Sequence, residues 1–402
     1  MPSGPRFAGQ AVDRNDRPHV NIPAAGAGHA VVAGGGVIGT WHALELLRAG
    51  FTVDHLEAET EPTGASVRNF GLVWVSGRRS GPELEAALRS RRRWEEVGDD
   101  VPGVGFRPQG SLTVALGEAE RSVMEAFARH PDAAARAITL LEPDEVRVRN
   151  PAVRGEVAGA LWCRHDATVE PRRLLLALRD HLAERHPRRY RFHRRRNVVG
   201  TERAALVDAV GTRWHADLAV VAPGAAYDRL PNTTVVAGAL RRVRLQMLET
   251  APLDGPALTT ALADSDTLRY YPAYETAPLE RLGPQHPVAA EHHLQLLLVQ
   301  RPDGGLTIGD THAYDEPFDF AVTEDPMTVL VDRAERILGS ALPPVRRRWE
   351  GVYAQCVDEG VCLRAEVDER VWLVTGPGGR GMTCAPAIAA DTLRVVGVEA
   401  AP

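Results

Sequence analysis

The sequence predicts a mixed α/β fold with two sheets, and three observations support this prediction. A short apolar strand at 30–33 runs directly into a glycine turn and a helix, and a second strand follows at 51–56. Extended segments within 240–309 are typical of an antiparallel sheet in a different part of the chain. A final strand leads into the glycine-rich segment 376–381 and a helix at about 385–395.

The first glycine turn has the sequence GGGVIG at 34–39 and lies between a strand and a helix. Gly34 permits the tight turn, Gly36 lets the backbone approach a pyrophosphate, and Gly39 allows close packing of helix and strand. The helix N-terminus supplies free amides for the phosphates. Glu57, after the second strand, would accept hydrogen bonds from the adenosine ribose. This unit predicts a Rossmann-type dinucleotide site.

Three further features favour FAD over NAD as the dinucleotide. The segment GASVRNFG at 64–71 follows Glu57 closely, so that its hydroxyl and amides could reach the pyrophosphate and the flavin. Gly224 closes a later strand of the same sheet, at 218–222. The glycine cluster at 376–381 opens a helix, whose dipole would stabilise negative charge on a reduced flavin.

Composition excludes several classes of function. All 47 basic residues are arginine, so an enzyme that forms a Schiff base through its own lysine is excluded. The net charge of −6 gives no overall attraction to nucleic acid or to a membrane surface. The four cysteines form no CxxC pair, and no metal site is predicted. We expect residues 1–28 to be a disordered leader and the protein to be soluble and cytoplasmic, because no segment is apolar enough for a signal peptide or a membrane span.

These segments together resemble the D-amino-acid-oxidase superfamily of FAD-dependent oxidoreductases, which includes glycine oxidase and sarcosine oxidase. The likeness runs from about residue 29 to residue 398. It is closer still to a bacterial subfamily associated with phosphonate catabolism, on six stretches of sequence: GASVRNFGLVW (64–74), RLQMLET (244–250), LRYYPAY (268–274), LTIGDTHAYDEPFDF (306–320), RWEGVYA (348–354) and LVTGPGGRGMT (373–383).

The resemblance implies a Rossmann-type FAD-binding domain built from separate segments and an antiparallel-sheet α+β substrate domain. The FAD-binding domain would comprise 29–97, 150–235 and 345–402, and the substrate-binding domain 98–149 and 236–344. The adenine would lie near Arg196 to Val199. The motif positions imply a set of cofactor-binding residues: Gly34, Gly36, Val37, Ile38, Gly39, Glu57, Ser66, Arg68, Asn69, Gly71, Gly224, Gly376, Gly379, Arg380, Gly381 and Met382.

The chain also departs from its relatives in ways that concern the substrate. Glycine-oxidase-type members carry an Arg-Pro that binds the substrate carboxylate, where this chain has Tyr353-Ala354. Gly351 and Val352 occupy the places near which sarcosine oxidase has its flavin-linked cysteine, so non-covalent FAD is expected. Because the lysine that aids oxygen activation is absent, either an arginine or histidine replaces it or oxygen is not the electron acceptor.

Six residues are candidates for the catalytic site: Tyr353, His312, Arg269, Tyr271, Arg380 and Arg68. A phosphonate requires charged, forked donors, which the three arginines could supply. His312 could act as an acid, a base or an anion ligand. Arg269 and Tyr271 are expected on a strand at 268–271 of the substrate domain, and Tyr353 is expected near the flavin.

The predicted function is therefore oxidation of a small anionic amine, an aminophosphonate by preference, through hydride transfer to flavin N5. The product would be an imine, then an aldehyde or ketone. Two alternatives stay open at this point. One is oxidative N-demethylation of a secondary amine, and the other is a flavin subunit of an electron-transfer complex.

Overall fold

The computed structural model describes residues 28–202, 205–230, 236 and 238–398. The predicted leader, apart from Gly28, lies outside the described residues. Gly28 already belongs to the fold, because its carbonyl accepts a hydrogen bond of 2.9 Å from Thr52 N. Within the described ranges, no helix is long and apolar enough to cross a membrane.

A largely parallel sheet of six strands forms one half of the described chain. Its strands occur in the following spatial order: Leu363–Asp368 (β18), Val371–Thr375 (β19), Leu218–Val221 (β12), His29–Ala33 (β1), Thr52–Leu56 (β2) and Tyr190–His193 (β8). β18 pairs antiparallel with β19, and the other pairings are parallel. The central β1 and β12 read as apolar runs because both faces of the sheet are covered. Val32 and Val220 pack against helices, and Val31 and Val221 on the opposite face pack in a cluster with Leu206.

Ten α-helices lie within the described ranges: Val37–Arg48 (α1), Pro82–Asp100 (α2), Glu118–Ala128 (α3), Pro131–Ala135 (α4), Pro143–Arg149 (α5), Leu174–Arg185 (α6), Asp266–Tyr270 (α7), Pro287–Glu291 (α8), Glu324–Leu338 (α9) and Gly381–Val395 (α10). α1, α2, α6 and α10 pack around the parallel sheet, with Trp41 and Trp94 in edge contact in their core at 4.9 Å between ring centroids. α1 follows the glycine turn directly, as the sequence predicts, and Gly50, with φ +93°, turns the chain back into β2.

The second large sheet of the described chain has eight strands and is mainly antiparallel. They are Val345–Cys356 (β17), Leu240–Pro252 (β13), Gly305–Gly309 (β16), Leu297–Gln300 (β15), Ala261–Ala263 (β14), Ser111–Ala115 (β4), Gly159–Cys163 (β6) and Ile138–Leu141 (β5), in that order. Only the β14–β4 pairing among them is parallel. α9 packs on one face, and an aromatic-rich cluster covers the other face, toward the parallel sheet.

Two small sheets complete the strands of the described ranges. One pairs Leu72–Val73 (β3) with Ala167–Thr168 (β7), and the other contains Val198–Thr201 (β9), Ala205–Asp208 (β10) and Arg213–His215 (β11). The predicted mixed α/β class, with a Rossmann-type parallel sheet beside an antiparallel one, is confirmed.

Three local predictions differ from the structure. The segment 268–271 is not a strand: Leu268 to Tyr270 belong to the short helix α7, which Arg333 of α9 stabilises by pairing with Asp266 at 2.7 Å. The last helix begins at Gly381 rather than near residue 385, so its N-terminus lies directly at the glycine cluster. β6 and β17 pair within the eight-stranded sheet, although the predicted boundaries assigned both to the FAD-binding domain.

Candidate active site

The glycine turn between β1 and α1 packs too tightly for side chains. At Gly34 the backbone has φ +111°, and a Cβ atom would lie 2.2 Å from the Ala222 carbonyl oxygen. A Cβ on Gly39 would lie 1.8 Å from the Gly34 carbonyl oxygen, and one on Gly36 would lie 3.1 Å from Ser66 Oγ. The turn therefore exposes backbone atoms rather than side chains to the cavity that it lines, as close approach of a pyrophosphate requires.

The side chains of His55 and Arg179 donate hydrogen bonds to backbone carbonyls of this turn. Sequence reasoning did not identify either residue. His55 Nε2 donates to the Gly34 carbonyl at 3.1 Å, and the Tyr190 hydroxyl donates to Nδ1 at 3.0 Å. Burial lowers the pKa of His55 to about 3, so the ring is neutral. Arg179 donates to the Gly35 carbonyl and lies over Phe192. No short sequence motif signals such support, because its residues come from β2, α6 and β8.

Glu57 and Ser66, two of the residues predicted to bind the cofactor, both contact the glycine turn. Gly35 N donates to Glu57 Oε2 at 2.6 Å, and Glu59 N donates to Oε1 at 2.9 Å. Val37 N, at the start of α1, donates to Ser66 Oγ at 2.9 Å. Both side chains line the adjoining cavity together with Val37 and Ile38. A bound ribose and pyrophosphate would meet Glu57 and the α1 amides there.

The loop at 64–71 uses its polar residues mainly to fix its own shape. Asn69 Nδ2 donates to the Ala65 carbonyl at 2.8 Å, and Gly71 N donates to Asn69 Oδ1 at 2.7 Å. Gly71 has φ +71°, and a Cβ there would lie 2.1 Å from the Val169 carbonyl oxygen. Asn69 therefore positions the loop beside the cavity that it lines.

The C-terminal glycine cluster opens onto the same cavity. Gly376, after β19, has φ +75°, and a Cβ there would lie 2.4 Å from Leu240 Cδ2. Gly379, Gly381 and Met382 line the cavity where α10 begins. The helix N-terminus thus presents partial positive charge to it. Gly224, with φ +60°, lies at the end of β12, and its carbonyl accepts from Thr375 Oγ1 at 2.9 Å.

A cavity of about 970 Å³ connects all these elements. At one end it is lined by Arg196, Asn197 and Val198, near the position expected for adenine. It then passes the glycine turn and the α10 N-terminus and ends against the antiparallel sheet. The bare backbone, the acidic residue and the elongated shape fit FAD. In the described chain, no group of three His, Cys, Asp or Glu side chains is placed to bind a metal ion.

The far end of the cavity is a buried aromatic pocket, which we call the amine pocket. His312 stacks on Tyr270, with 4.4 Å between ring centroids and 29° between planes. The side chains of Tyr314 and Tyr353 lie close to Tyr270. The amine pocket is formed by Tyr270, Tyr314, Tyr353, His312, Asp310 and Gln295.

Buried charge in the amine pocket comes from Asp310. Burial raises the pKa of its carboxyl, although the facing His312 ring, with Nε2 at 3.7 Å from Oδ2, opposes this rise. Burial also raises the pKa of Tyr353 and of Tyr270, and the Asp310 charge adds to both shifts. The tyrosine hydroxyls therefore stay protonated at neutral pH and can donate or accept hydrogen bonds.

All six candidate catalytic residues line the cavity: Tyr353, His312, Tyr271, Arg269, Arg380 and Arg68. The three arginines, however, already have acceptors. Arg269 pairs with Asp266 at 3.2 Å and donates to the Gly283 carbonyl at 2.7 Å. Arg380 donates to Glu83 and to the Pro377 carbonyl, each at 3.1 Å. Arg68 donates to the backbone carbonyls of Thr63 and Glu350. Each guanidinium therefore has two of its three nitrogens hydrogen-bonded within the protein.

Arg78 is a better-placed guanidinium, and sequence reasoning missed it. Its side chain is buried and lines the cavity, and its Nε donates to the Trp74 carbonyl at 2.7 Å. The guanidinium lies 5.5 Å from the Tyr271 ring centroid, and Nη1 lies 3.7 Å from Glu83. Arg78 follows the segment 64–77, and nothing in that stretch of sequence shows which of Arg78 and Arg79 turns inward.

Comparison with known proteins places this geometry in a family. Residues 29–393 match the family model described as DAO, FAD dependent oxidoreductase. One of the subunits of opine oxidase from Agrobacterium tumefaciens (strain Ach5) is 26% identical over 340 residues, which cover 81% of this chain and 82% of that protein.

Two solved structures have the same fold. Glycine oxidase from Geobacillus kaustophilus superposes with a TM-score of 0.73 at 19% identity, covering 92% of this chain and 95% of that one. L-proline dehydrogenase from P. horikoshii superposes with a TM-score of 0.74 at 18% identity, covering 94% and 96%. At these identities the likeness is one of fold.

Proposed function

The chain belongs to the DAO family of FAD dependent oxidoreductases, and we propose that it oxidises the C–N bond of a small amine that carries an anionic group. An aminophosphonate is the specific candidate. The observation that carries this proposal is the continuous cavity, which runs from the dinucleotide turn to a buried pocket of tyrosines, His312 and Asp310.

FAD, when bound, would supply the hydride acceptor. Non-covalent binding is proposed because Gly351 and Val352, before Tyr353, offer no nucleophile. The chain itself would orient the substrate and exclude water. Tyr353 is 9% exposed and lies on β17 opposite Val243, so its ring is held rigidly at the cavity wall. Such positioning lowers the entropic part of the barrier.

Arg78 is the proposed anchor for the anionic group. It is 4% exposed, and its position over the Tyr271 ring keeps its planar head at the cavity wall. A phosphonate or carboxylate could accept two parallel hydrogen bonds from this head. Such a contact would hold the anionic group at Arg78 while the amine of the same substrate lies in the amine pocket.

Replacement of Arg78 by glutamine should raise the KM for an anionic amine by about tenfold or more, because a charge-assisted hydrogen bond contributes roughly 1.5–3 kcal/mol. Steady-state kinetics with 2-aminoethylphosphonate and with ethylamine would check this. Arg380 still pairs with Glu83 in this variant, which limits the structural damage. Arg89→Gln, which removes an arginine paired with Asp391 outside the cavity, is the matched control. Equal losses for both amines would show that Arg78 has only a structural role.

The substrate class is tested by anaerobic reduction of the FAD-loaded protein with a panel of amines. 2-Aminoethylphosphonate, its carboxylate analogue β-alanine, glycine and sarcosine would be compared by the loss of flavin absorbance. We expect the phosphonate to reduce the flavin fastest. Reduction by α-amino carboxylates alone would refute the phosphonate proposal, and formaldehyde released from sarcosine would favour N-demethylation.

A second candidate function is that of a flavin-binding component within a larger enzyme. It is favoured by the similarity to the opine oxidase of Agrobacterium tumefaciens, where the matching protein is named as one of the subunits. Under this alternative, no amine of the panel would reduce the flavin of the isolated chain.

A further inference from the structure

The amine pocket contains a buried hydrogen-bond acceptor that lacks a donor among the described residues. Gln295 is 1% exposed, and its Oε1 accepts no hydrogen bond from the described residues. Its Nε2 donates to Asp310 Oδ1 at 3.3 Å, which directs Oε1 away from that contact. A buried acceptor without a donor is costly, so a ligand that carries N–H groups would gain by binding here.

Asp310 and Gln295 are held side by side by their backbones. Asp310 N donates to the Gln295 carbonyl at 2.9 Å, and Gln295 N donates to the Asp310 carbonyl at 3.2 Å. The Asp310 carboxylate is 6% exposed. Among the described residues its one ion-pair contact within 4.0 Å is with His312, at 3.7 Å. The buried carboxylate thus has no arginine partner, unlike Asp264, which Arg333 pairs with at 2.7 Å.

His312 is not hydrogen-bonded to the Asp310 carboxylate, because its Nε2 lies 3.7 Å from Oδ2. Its Nδ1 lies 3.0 Å from the His293 carbonyl oxygen, an acceptor, so Nδ1 carries a proton. A buried carboxylate that no cationic side chain of the described residues hydrogen-bonds would be stabilised by a cationic ligand.

The aromatic walls suit such a cation. Tyr270 and Tyr314 both lie nearly parallel to the His312 ring, with centroid distances of 4.4 and 6.4 Å and interplanar angles of 29° and 17°. Ring faces attract cations through their quadrupoles, most strongly where water is excluded. Aromatic faces, a carboxylate and a free amide oxygen together match an ammonium group.

We propose that Asp310 is the counter-ion of the substrate's ammonium group and accepts the proton that must leave nitrogen before oxidation. This inference rests on the proposed function, because it assigns the binding site within the same cavity. In the proton step an N–H bond breaks, an O–H bond forms on the carboxylate, and the electron pair stays on nitrogen. The product pair is a neutral amine and a neutral aspartic acid, so this ion pair leaves no charge at the Asp310 end of the cavity.

The local charges favour this step. Burial raises the pKa of Asp310, which makes the carboxylate a better proton acceptor than an exposed aspartate. The titratable groups that face it are His312 on its own segment, Tyr270 and Tyr271 from α7 and the residue after it, Tyr314, and Tyr353 from β17. Burial raises the pKa of each of the four tyrosines, so they stay neutral during the transfer.

The test measures cation binding without turnover. tert-Butylamine is a cation at neutral pH and has no hydrogen on the carbon beside nitrogen, so it can bind but cannot be oxidised, and tert-butanol is its neutral isostere. Isothermal titration of the FAD-loaded protein with each would give both affinities at pH 8 and at pH 5. Asp310→Asn removes the charge, and Asp315→Asn, at an exposed position outside the cavity, is the matched control.

We expect wild type and Asp315→Asn to bind the cation at least about tenfold more tightly than the alcohol, the least effect of a charged hydrogen bond. Asp310→Asn should lose this preference. In wild type the preference should shrink at pH 5, as the carboxylate becomes protonated. Equal affinities for cation and alcohol in wild type would overturn the inference, whether or not the variant folds. So would an unchanged preference in Asp310→Asn.

The result of this binding test can be distinguished from the result of the flavin-reduction test of the proposed function. Cation binding that depends on Asp310, in a protein whose flavin no amine reduces, would support this inference and contradict the function. Rapid flavin reduction by amines, with no preference for the cation over the alcohol, would do the reverse.

Discussion

The two ends of the cavity are built in different ways. The dinucleotide end consists mainly of backbone: Gly34 and Gly39 admit no side chain, and short local segments supply the remaining contacts. The amine end consists of side chains from α7, β17 and the segment after β16, which meet only in the folded protein. The first end is therefore encoded in contiguous motifs, and the second depends on tertiary packing.

The largest expected effect is at the dinucleotide end. Gly39→Val would place side-chain atoms where even a Cβ lies 1.8 Å from the Gly34 carbonyl oxygen, so the turn must open and the flavin should be lost. The ratio of flavin absorbance to protein in the purified variant measures this. Gly117→Ala is the control, because a Cβ there meets nothing within 4 Å. Full flavin content in Gly39→Val would show that the turn does not determine cofactor binding.

A smaller effect is expected at the amine end, and it should leave the flavin in place. Tyr270→Ala removes the ring that stacks on His312 and should lower kcat/KM by roughly 30-fold, about the 2 kcal/mol of a desolvated cation–π contact. Tyr270→Phe keeps the ring and should retain most of the activity. The comparison of the two ends would fail if Tyr270→Ala lost its flavin, because the two ends would then not be independent.

The smallest effect at neutral pH concerns acid stability. Burial lowers the pKa of His42 to about 4, and its Nε2 has no partner among the described residues. In the unfolded chain the pKa of His42 is about 6.5, so the unfolded state binds the proton more readily than the folded state. The folded state is therefore fully stable above pH 6.5, and its free energy of unfolding decreases as the pH falls toward 4, by roughly 2 kcal/mol at pH 5.

His42→Leu should therefore match wild type at pH 8 and be the more stable of the two at pH 5. Urea unfolding at both pH values checks this. An identical pH dependence in the two proteins would mean that His42 is not the titrating group.

The contrast between the two ends also explains how far the sequence could be interpreted. The strand, turn and helix at 30–48 follow from local periodicity and glycine spacing, and the structure reproduces them. Tyr353 and His312 could be singled out only through the family resemblance. Asp310 lies within the quoted stretch 306–320, yet nothing local shows that it faces Gln295.

The arginines show the same limit in another form. The sequence predicts Arg269 on a strand at 268–271, but pairing of Arg333 with Asp264 and Asp266 favours a short helix. Arg78 and Arg79 are neighbours of the same type. Only the packing of Trp74 and Glu83 decides that Arg78 is the buried one.

The central claim is that the cavity brings a C–N bond, rather than a C–O bond, to the flavin. Anaerobic addition of 2-aminoethylphosphonate, and separately of 2-hydroxyethylphosphonate, to the FAD-loaded protein tests it directly, because the two compounds differ only in the group that meets Asp310. We predict that the amine bleaches the flavin and the alcohol does not. Bleaching by the alcohol alone would contradict the account.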